Sequence, residues 1–372
     1  MKKDLKDKSK SVDASLDKSA SDFSEFENKF ASAFSGKRIL VTGGAGAIGS
    51  NLVKELSKYS CTIIVLDDLS SGYRDLLDDV LADKKNIGKN AKANIKMNVK
   101  ANIEFIKGSI LDDKILDGLF SKKVDVIFHL AALFANQNSV DHPDKDLLVN
   151  GVGTLKLLEY ARKSNVGKGV ERFVFTSSSC VYGNLPEPAS EDSSKLHPDT
   201  PYAITKVLGE RYVSFFHEHY GLKTVTFRVF NSFGPGEKPG HYRNVVPNFF
   251  AMAIRKEPLP IYGTGEETRD FNWISNLVQA MLLSAVKNEA VGNTFNISSG
   301  KKTRIIDMAK MINKIASNKA GIKYLPRRSW DKIIDRSANI EKAKRILGYN
   351  PDVEDIEGKL RKTYDWIKGL DG

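Results

Sequence analysis

Six short apolar runs set the rhythm of the chain: RILVTG from Arg38, CTIIVLDD from Cys61, IEFIKGS from Ile103, VDVIFHLAA from Val124, RFVFTSS from Arg172 and LKTVTFRVF from Leu222. Amphipathic helical stretches such as GSNLVKELSKY separate most of them. Strands this uniformly apolar are buried on both faces, so the alternation predicts a parallel sheet covered by helices, a doubly wound α/β fold. From about Asn231 the rhythm loosens into FGPGEKPGHY, KEPLPIYGTG and isolated helices. A smaller mixed α/β lobe is expected there, closing over the C-terminal edge of the sheet where such folds bind ligands. Phe23, Phe26, Phe30 and Phe34 recur at helical spacing and predict a short helix over Asp22–Phe34, its aromatic face packed on the domain rather than kept for a partner.

The expected organisation is a disordered polar tail over residues 1–22, a nucleotide-binding domain over 23–230 and a substrate lobe over 231–372, with a strand or helix free to return to the first domain. The net charge of +11 changes this picture little. Between Lys84 and Lys107 there are seven lysines against one acid, Glu104, and KANI occurs twice, at Lys92–Ile95 and Lys100–Ile103. Residues 84–102 read as a solvated low-complexity insertion with no aromatic side chain to stack on bases, so neither nucleic acid nor a membrane is an expected partner. The apolar runs fall short of the roughly 20 residues that cross a bilayer. MKKDLKDKSKSVDASLDKSASD lacks the apolar block of a secretory signal, and a cytoplasmic address is expected. Cys61 and Cys180 form neither a disulfide framework nor a metal cluster.

Candidate chemistry begins at TGGAGAIG, Thr42–Gly49, which follows the first strand and opens a helix. Gly43, Gly46 and Gly49 let the backbone turn, approach a pyrophosphate and pack helix on strand, while the helix N-terminus offers amides to the anion. The second strand ends at Asp67, placed to accept from a ribose 2′-hydroxyl and to repel a 2′-phosphate, which favours NAD over NADP; Arg74 is a weak counter-argument. Downstream, PYAITK puts Tyr202 and Lys206 on one helical face. A tyrosine becomes a usable base where cations stabilise its phenolate.

With these residues in order, the chain resembles the extended short-chain dehydrogenase/reductase superfamily, in its nucleotide-sugar epimerase and dehydratase branch. The markers are TGGAGAIGSNLV, LDDLSSG, GSILD, HLAA, NGVGTLKLLE, SSSCVYG, PYAITK, FRVFNSFGPG, RNVVPNF, ETRDF and LGYNP, from about Lys37 to the C-terminus. The resemblance implies a Rossmann-type domain that holds NAD through Gly43, Gly46, Ala47, Ile48, Gly49, Asp67 and Asp68. Ser109 and Ile110 would lie near the adenine, Leu130, Ala131 and Ala132 near the pyrophosphate and ribose, and Asn150, Tyr202, Lys206 and Phe230 towards the nicotinamide. Asn231, Asn244, Val245, Arg269 and Arg328 would hold the diphosphate and base of a UDP-sugar, and a homodimer is implied.

In the family's 4,6-dehydratases a Thr-Asp-Glu series precedes the VYG turn; aligned on Val181-Tyr182-Gly183, this chain has Ser178, Ser179 and Cys180. The acid pair is missing, as is the glutamate that the family's decarboxylases keep where Cys180 stands. A hydroxyl, Ser178, remains beside Tyr202. The expectation is therefore an NAD-dependent UDP-sugar 4-epimerase working through a 4-keto intermediate, with Tyr202 as base, Ser178 aligning the sugar oxygen and Lys206 stabilising the phenolate; no metal is required. A C3/C5 epimerase or 4-keto reductase using Cys180 is the enzymatic alternative, and an NAD-binding sensor or scaffold the non-catalytic one. YLPRRSWDKIIDR departs from the family pattern, leaving Arg327 and Arg328 both open as the second phosphate partner. Arg336 stands near where the family gates sugar size; it is expected to be a surface charge rather than a partner for a uronate carboxylate.

Overall fold

The apolar runs and the helices between them explain the architecture. In the computed structural model, which describes residues 28–81 and 99–371, all six runs form strands and a seventh joins them from the C-terminal part of the chain: β1 (Arg38–Thr42), β2 (Thr62–Asp67), β3 (Asn102–Lys107), β4 (Val126–His129), β5 (Arg172–Ser178), β6 (Thr224–Val229) and β7 (Thr294–Ile297). They form one parallel sheet in the order β7-β6-β5-β4-β1-β2-β3. Ile39, Val41, Ile63, Val65, Phe128 and Val174 point into one apolar layer, and Leu40, Ile64, Leu66, Ile127, Phe173 and Phe175 into the other. Apart from the edge strand β3, whose residues are half-buried or exposed, neither face meets water, which is why no polar alternation marks these strands.

Helices α1 (Ala47–Leu56) and α6 (Ile274–Val286) cover the first layer. Helices α2 (Asp113–Phe120), α3 (Thr154–Gly167) and α4 (Pro201–Tyr220) cover the second. Phe30 and Phe34 join the first layer, their rings 6.3 and 5.6 Å from that of Tyr59, so the described end of the aromatic segment is core. The tail 1–22, Phe23, Phe26 and residues 82–98 of the basic stretch lie outside the described residues. Where the chain resumes, the N–H groups of Lys100 and Ala101 donate to Ser57 O, and Asn102 opens β3.

Strand order reverses between β1 and β4, which opens a crevice at the C-terminal ends of the strands. Over it sits a lobe whose core joins α5 (Val245–Ile254), α7 (Ile305–Ile315) and α8 (Ile356–Lys368). Short strands frame the lobe: Thr268–Asp270 lies between Lys302–Arg304 and Asp335–Arg336, and Leu259–Tyr262 pairs with Ile322–Leu325. α6 and β7 come from the C-terminal part of the chain yet pack on or in the large sheet. Among the described residues no helix is long and apolar enough to cross a membrane.

Candidate active site

The turn after β1 is built from backbone that side chains would obstruct. Gly43 has φ 68°, and a Cβ there would stand 2.7 Å from Ala131 N. A Cβ on Gly49 would run into Gly43 O, so helix α1 starts hard against the loop. Gly46 caps α1 without a side-chain hydrogen bond, leaving first-turn amides directed at the crevice. At the end of β2, Asp67 Oδ2 accepts from Ala45 N (2.9 Å) and Oδ1 from Leu69 N (2.9 Å). Burial pushes its carboxyl pKa upward, against those two N–H groups. At the end of β4, the His129 ring bridges Thr42 Oγ1 (2.8 Å) and Thr154 Oγ1 (2.9 Å); burial pushes its pKa down to about 3, so the imidazole is neutral and ties β1 to α3.

Helix α4 is set by Thr200, whose hydroxyl accepts from Ala203 N, by Pro201 in the first turn and by Gly221 at φ 68°. It is locked to the sheet by Glu210, which takes Arg228 through both carboxylate oxygens (2.9 and 2.7 Å) and accepts from Ser177 Oγ at 2.6 Å. Arg228 also donates to the Tyr182 hydroxyl, which donates to Asn296 Oδ1. The lock brings three expected residues together at the crevice floor. The Lys206 ammonium donates to Thr176 O (2.9 Å) and lies 5.6 Å from the Tyr202 ring centre. Ser178 acts on the Tyr202 hydroxyl, favouring its ionised form, and its Oγ accepts from Cys180 N at 3.2 Å. Burial raises the Tyr202 pKa, with Cys180 and Asp146 adding to the rise and Ser178 opposing it. Burial pushes Lys206 down to about 8, against Asp146, Glu210 and Cys180.

One cavity of about 910 Å³ runs from the glycine loop to the lobe. Gly43, Gly46, Ala47, Ile48, Gly49, Asp67, Asp68, Ser109, Ile110, Leu130, Ala131, Ala132 and Phe230 line its first half, Ser178, Tyr202 and Lys206 its floor, and Asn231, Asn244, Val245, Arg269 and Arg328 its far half. Asn150 is the exception. It lies in a π-helical segment, Leu147–Gly153, behind the wall: its side chain accepts from Leu133 N (2.8 Å) and donates to Leu133 O (3.2 Å) and Asp146 Oδ2 (2.8 Å). Its side chain thus braces the backbone of the loop after β4 rather than lining the cavity. Asn244 is also engaged, donating to both oxygens of Glu237.

The two arginines left open divide. Both line the cavity, but Arg327 is paired with Glu267, whereas Arg328 stacks on Tyr262 (4.4 Å) and Trp330 (5.8 Å). Arg336 is not a surface charge: it is 5% exposed and lines the cavity beside Cys180 and Arg269. Asp146 was likewise missed. It is fully buried, accepts from Thr205 Oγ1 at 2.5 Å, and acts on both Tyr202 and Lys206; the only sequence signal was a polar residue, Thr205, between that pair.

Comparison with known proteins agrees with this geometry. The profile of the NAD dependent epimerase/dehydratase family matches residues 39–298. The chain belongs to that family. It is 32% identical over 332 residues to a UDP-glucose 4-epimerase of Mycolicibacterium smegmatis, covering 89% of this chain and 98% of the relative. It is 30% identical over 345 residues to a UDP-N-acetyl-alpha-D-glucosaminuronate decarboxylase of Bacillus cytotoxicus, covering 90% and 99%. Among solved structures, the epimerase Mth375 of Methanothermobacter thermautotrophicus superposes with a TM-score of 0.82 at 45% identity, covering 92% of this chain and 95% of that one.

As an NAD dependent enzyme of this family, the chain must accept a dinucleotide, and its residues fit one. The glycine loop leaves room that any Cβ would fill, the α1 amides are uncapped, and an acid closes β2. Among the described residues no group of three or more His, Cys, Asp or Glu side chains could hold a metal ion.

Proposed function

We propose that the chain inverts C4 of a UDP-sugar through a transient 4-keto sugar. The observation that carries the reading is the composition of the floor around Tyr202: Ser178, Ser179 and Cys180 line the cavity there, with no carboxylate among them. Elimination of water, or protonation of carbon after loss of carbon dioxide, needs an acid at that place; a C4 hydride exchange needs only a hydroxyl and a base.

Bound NAD supplies the acceptor, and then the donor, of the C4 hydride. Tyr202 takes the proton of the sugar O4 as C4 is oxidised. Ser178, which acts on the Tyr202 hydroxyl, aligns that oxygen. Lys206 holds its charge near the phenolate from the same helical face, one turn on. Because burial and the neighbouring Asp146 carboxylate raise the phenol pKa, Tyr202 serves as a base only with added positive charge beside it, which ties proton removal to the oxidised cofactor. After the sugar presents its other face, Tyr202 returns the proton to O4 and the configuration at C4 is inverted. Arg328 and the uncapped amides at the start of α5 are the groups for the diphosphate. Gly43, Gly49 and Asp67 are those for the dinucleotide.

The test is NMR of UDP-glucose, UDP-N-acetylglucosamine and UDP-glucuronate, each incubated with the protein in D2O without added NAD, beside a Tyr202→Phe control. Inversion at C4 without deuterium uptake, lost in the control, is the expected result. Deuterium at C3 or C5 would move the chemistry to Cys180 and overturn the reading.

A further inference from the structure

The far wall of the sugar end of the cavity carries a cation with no counter-charge. Arg336 enters it because the short strand Asp335–Arg336 pairs with Thr268–Asp270, in a register that sets Arg336 opposite Arg269. Arg269 is already engaged: its nitrogens donate to Thr268 O (2.8 Å) and Ile333 O (3.2 Å), and Asp331 lies 3.9 Å away. Arg336 is less so. Its Nη1 donates to Cys180 Sγ at 3.1 Å, its Nε has no hydrogen-bond partner, and among the described residues no carboxylate comes within ion-pair distance of it. Burial and the adjacent charge of Arg336 push Arg269 down to about 10, a sign that the two cations share a poorly solvated place.

Other donors face the same spot. Asn136 Nδ2 points at Cys180 Sγ from 3.6 Å, its Oδ1 being taken by Thr200 Oγ1. Ser178, two residues before Cys180, is the hydroxyl of the proposed O4 contact. A buried guanidinium with its planar fork unfilled is a costly arrangement for a neutral hexose and a matched one for a carboxylate.

Resting on the proposed UDP-sugar reading, we infer that Arg336, beside Cys180 and Asn136, is a subsite for a carboxylate carried by the sugar, so that the substrate is an acidic UDP-sugar. The C6 carboxylate of a uronate and a carboxylate on an ether arm at C3 share this chemistry. The carboxylate displaces the weak thiol contact and gives Arg336 its counter-charge. The diphosphate is left to Arg328, which stands apart on Tyr262 and Trp330.

The test is calorimetric binding to the NAD-loaded full chain carrying Tyr202→Phe, so that nothing turns over. UDP, UDP-glucose, UDP-glucuronate, UDP-N-acetylglucosamine and UDP-N-acetylmuramate are titrated, with and without Arg336→Met. The expected result is at least tenfold tighter binding of UDP-glucuronate than of UDP-glucose, or of UDP-N-acetylmuramate than of UDP-N-acetylglucosamine. The first names the C6 carboxylate and the second the ether arm. Arg336→Met removes that preference and leaves the affinity for UDP alone within about twofold. Equal affinity of the unmodified Arg336 site for acidic and neutral sugars overturns the proposal without recourse to any variant. An equal loss of UDP and all UDP-sugars in Arg336→Met also overturns it, by making Arg336 a diphosphate ligand. Since binding is read with turnover blocked, C4 inversion can fail in the NMR experiment while this subsite stands, and the reverse.

Discussion

Replacing Lys206 by methionine is expected to stabilise the fold while removing activity. Lys206 is 4% exposed, and burial brings its pKa from an ordinary 10.5 to about 8 although Asp146, Glu210 and Cys180 all pull it upward. At about 1.4 kcal/mol per pH unit, that gap is a charging cost of about 3 kcal/mol borne by the folded state. Methionine has similar length and no charge, but it leaves Thr176 O without the bond from Nζ, a loss of about 1–2 kcal/mol. Below pH 8 the variant should therefore be the more stable by about 1–2 kcal/mol.

The sign must change with pH. Below about 8 the lysine is charged in both folded and unfolded chains, and the burial cost is fully present. Between about 8 and 10.5 the folded state gives up its proton before the unfolded state does, so the wild-type chain gains stability and the advantage of the variant disappears. Above that window only the lost hydrogen bond is left, and the variant becomes the less stable. Urea unfolding of nucleotide-free protein from pH 7 to pH 10.5 reads the difference directly, since other titrating groups are common to both chains. A difference that keeps one value across the series would refute the account of Lys206 as a cation held at a cost to stability for the sake of the phenolate.

Three further outcomes follow from the site. Tyr202→Phe should lower kcat by roughly 10²–10⁴-fold, with UDP and NAD affinities changed only a few-fold, in a steady-state assay paired with calorimetry. Gly49→Ala drives a methyl group into Gly43 O and to 2.6 Å from Gly44 Cα, so NAD affinity should fall at least tenfold by fluorescence titration; wild-type affinity would show that the loop has room. Glu210→Gln leaves Arg228 buried without its counter-charge and should cost about 3–5 kcal/mol in urea unfolding, whereas Glu210→Leu with Arg228→Met should recover most of that loss; equal losses would mean packing rather than charge governs the lock.

What the chain discloses to a reader depends on how far each requirement reaches along it. A glycine at φ 68° before a helix, or a strand with both faces buried, is dictated within a few residues, so the glycine loop, six of the sheet strands and the Tyr202 and Lys206 pair are legible as pattern. The seventh strand is four residues, Thr294–Ile297, and is marked as core only by pairing with β6 from across the intervening lobe. Asn150 stands in a motif that points to the cofactor, yet the local widening of its helix turns the side chain to Leu133 instead. Arg336 is the most instructive case. In sequence it is one basic residue among 57, and nothing within a helical turn or a strand repeat distinguishes it from a solvated charge. It is buried because a two-residue strand takes up a place beside Thr268–Asp270, more than sixty residues away. In the proposed reading the reaction type is carried by side chains fixed near strand ends and helix starts, where local rules hold. The inferred choice of sugar falls to lobe residues that only tertiary pairing delivers to the cavity, which is why the family could be read from the chain and the substrate could not.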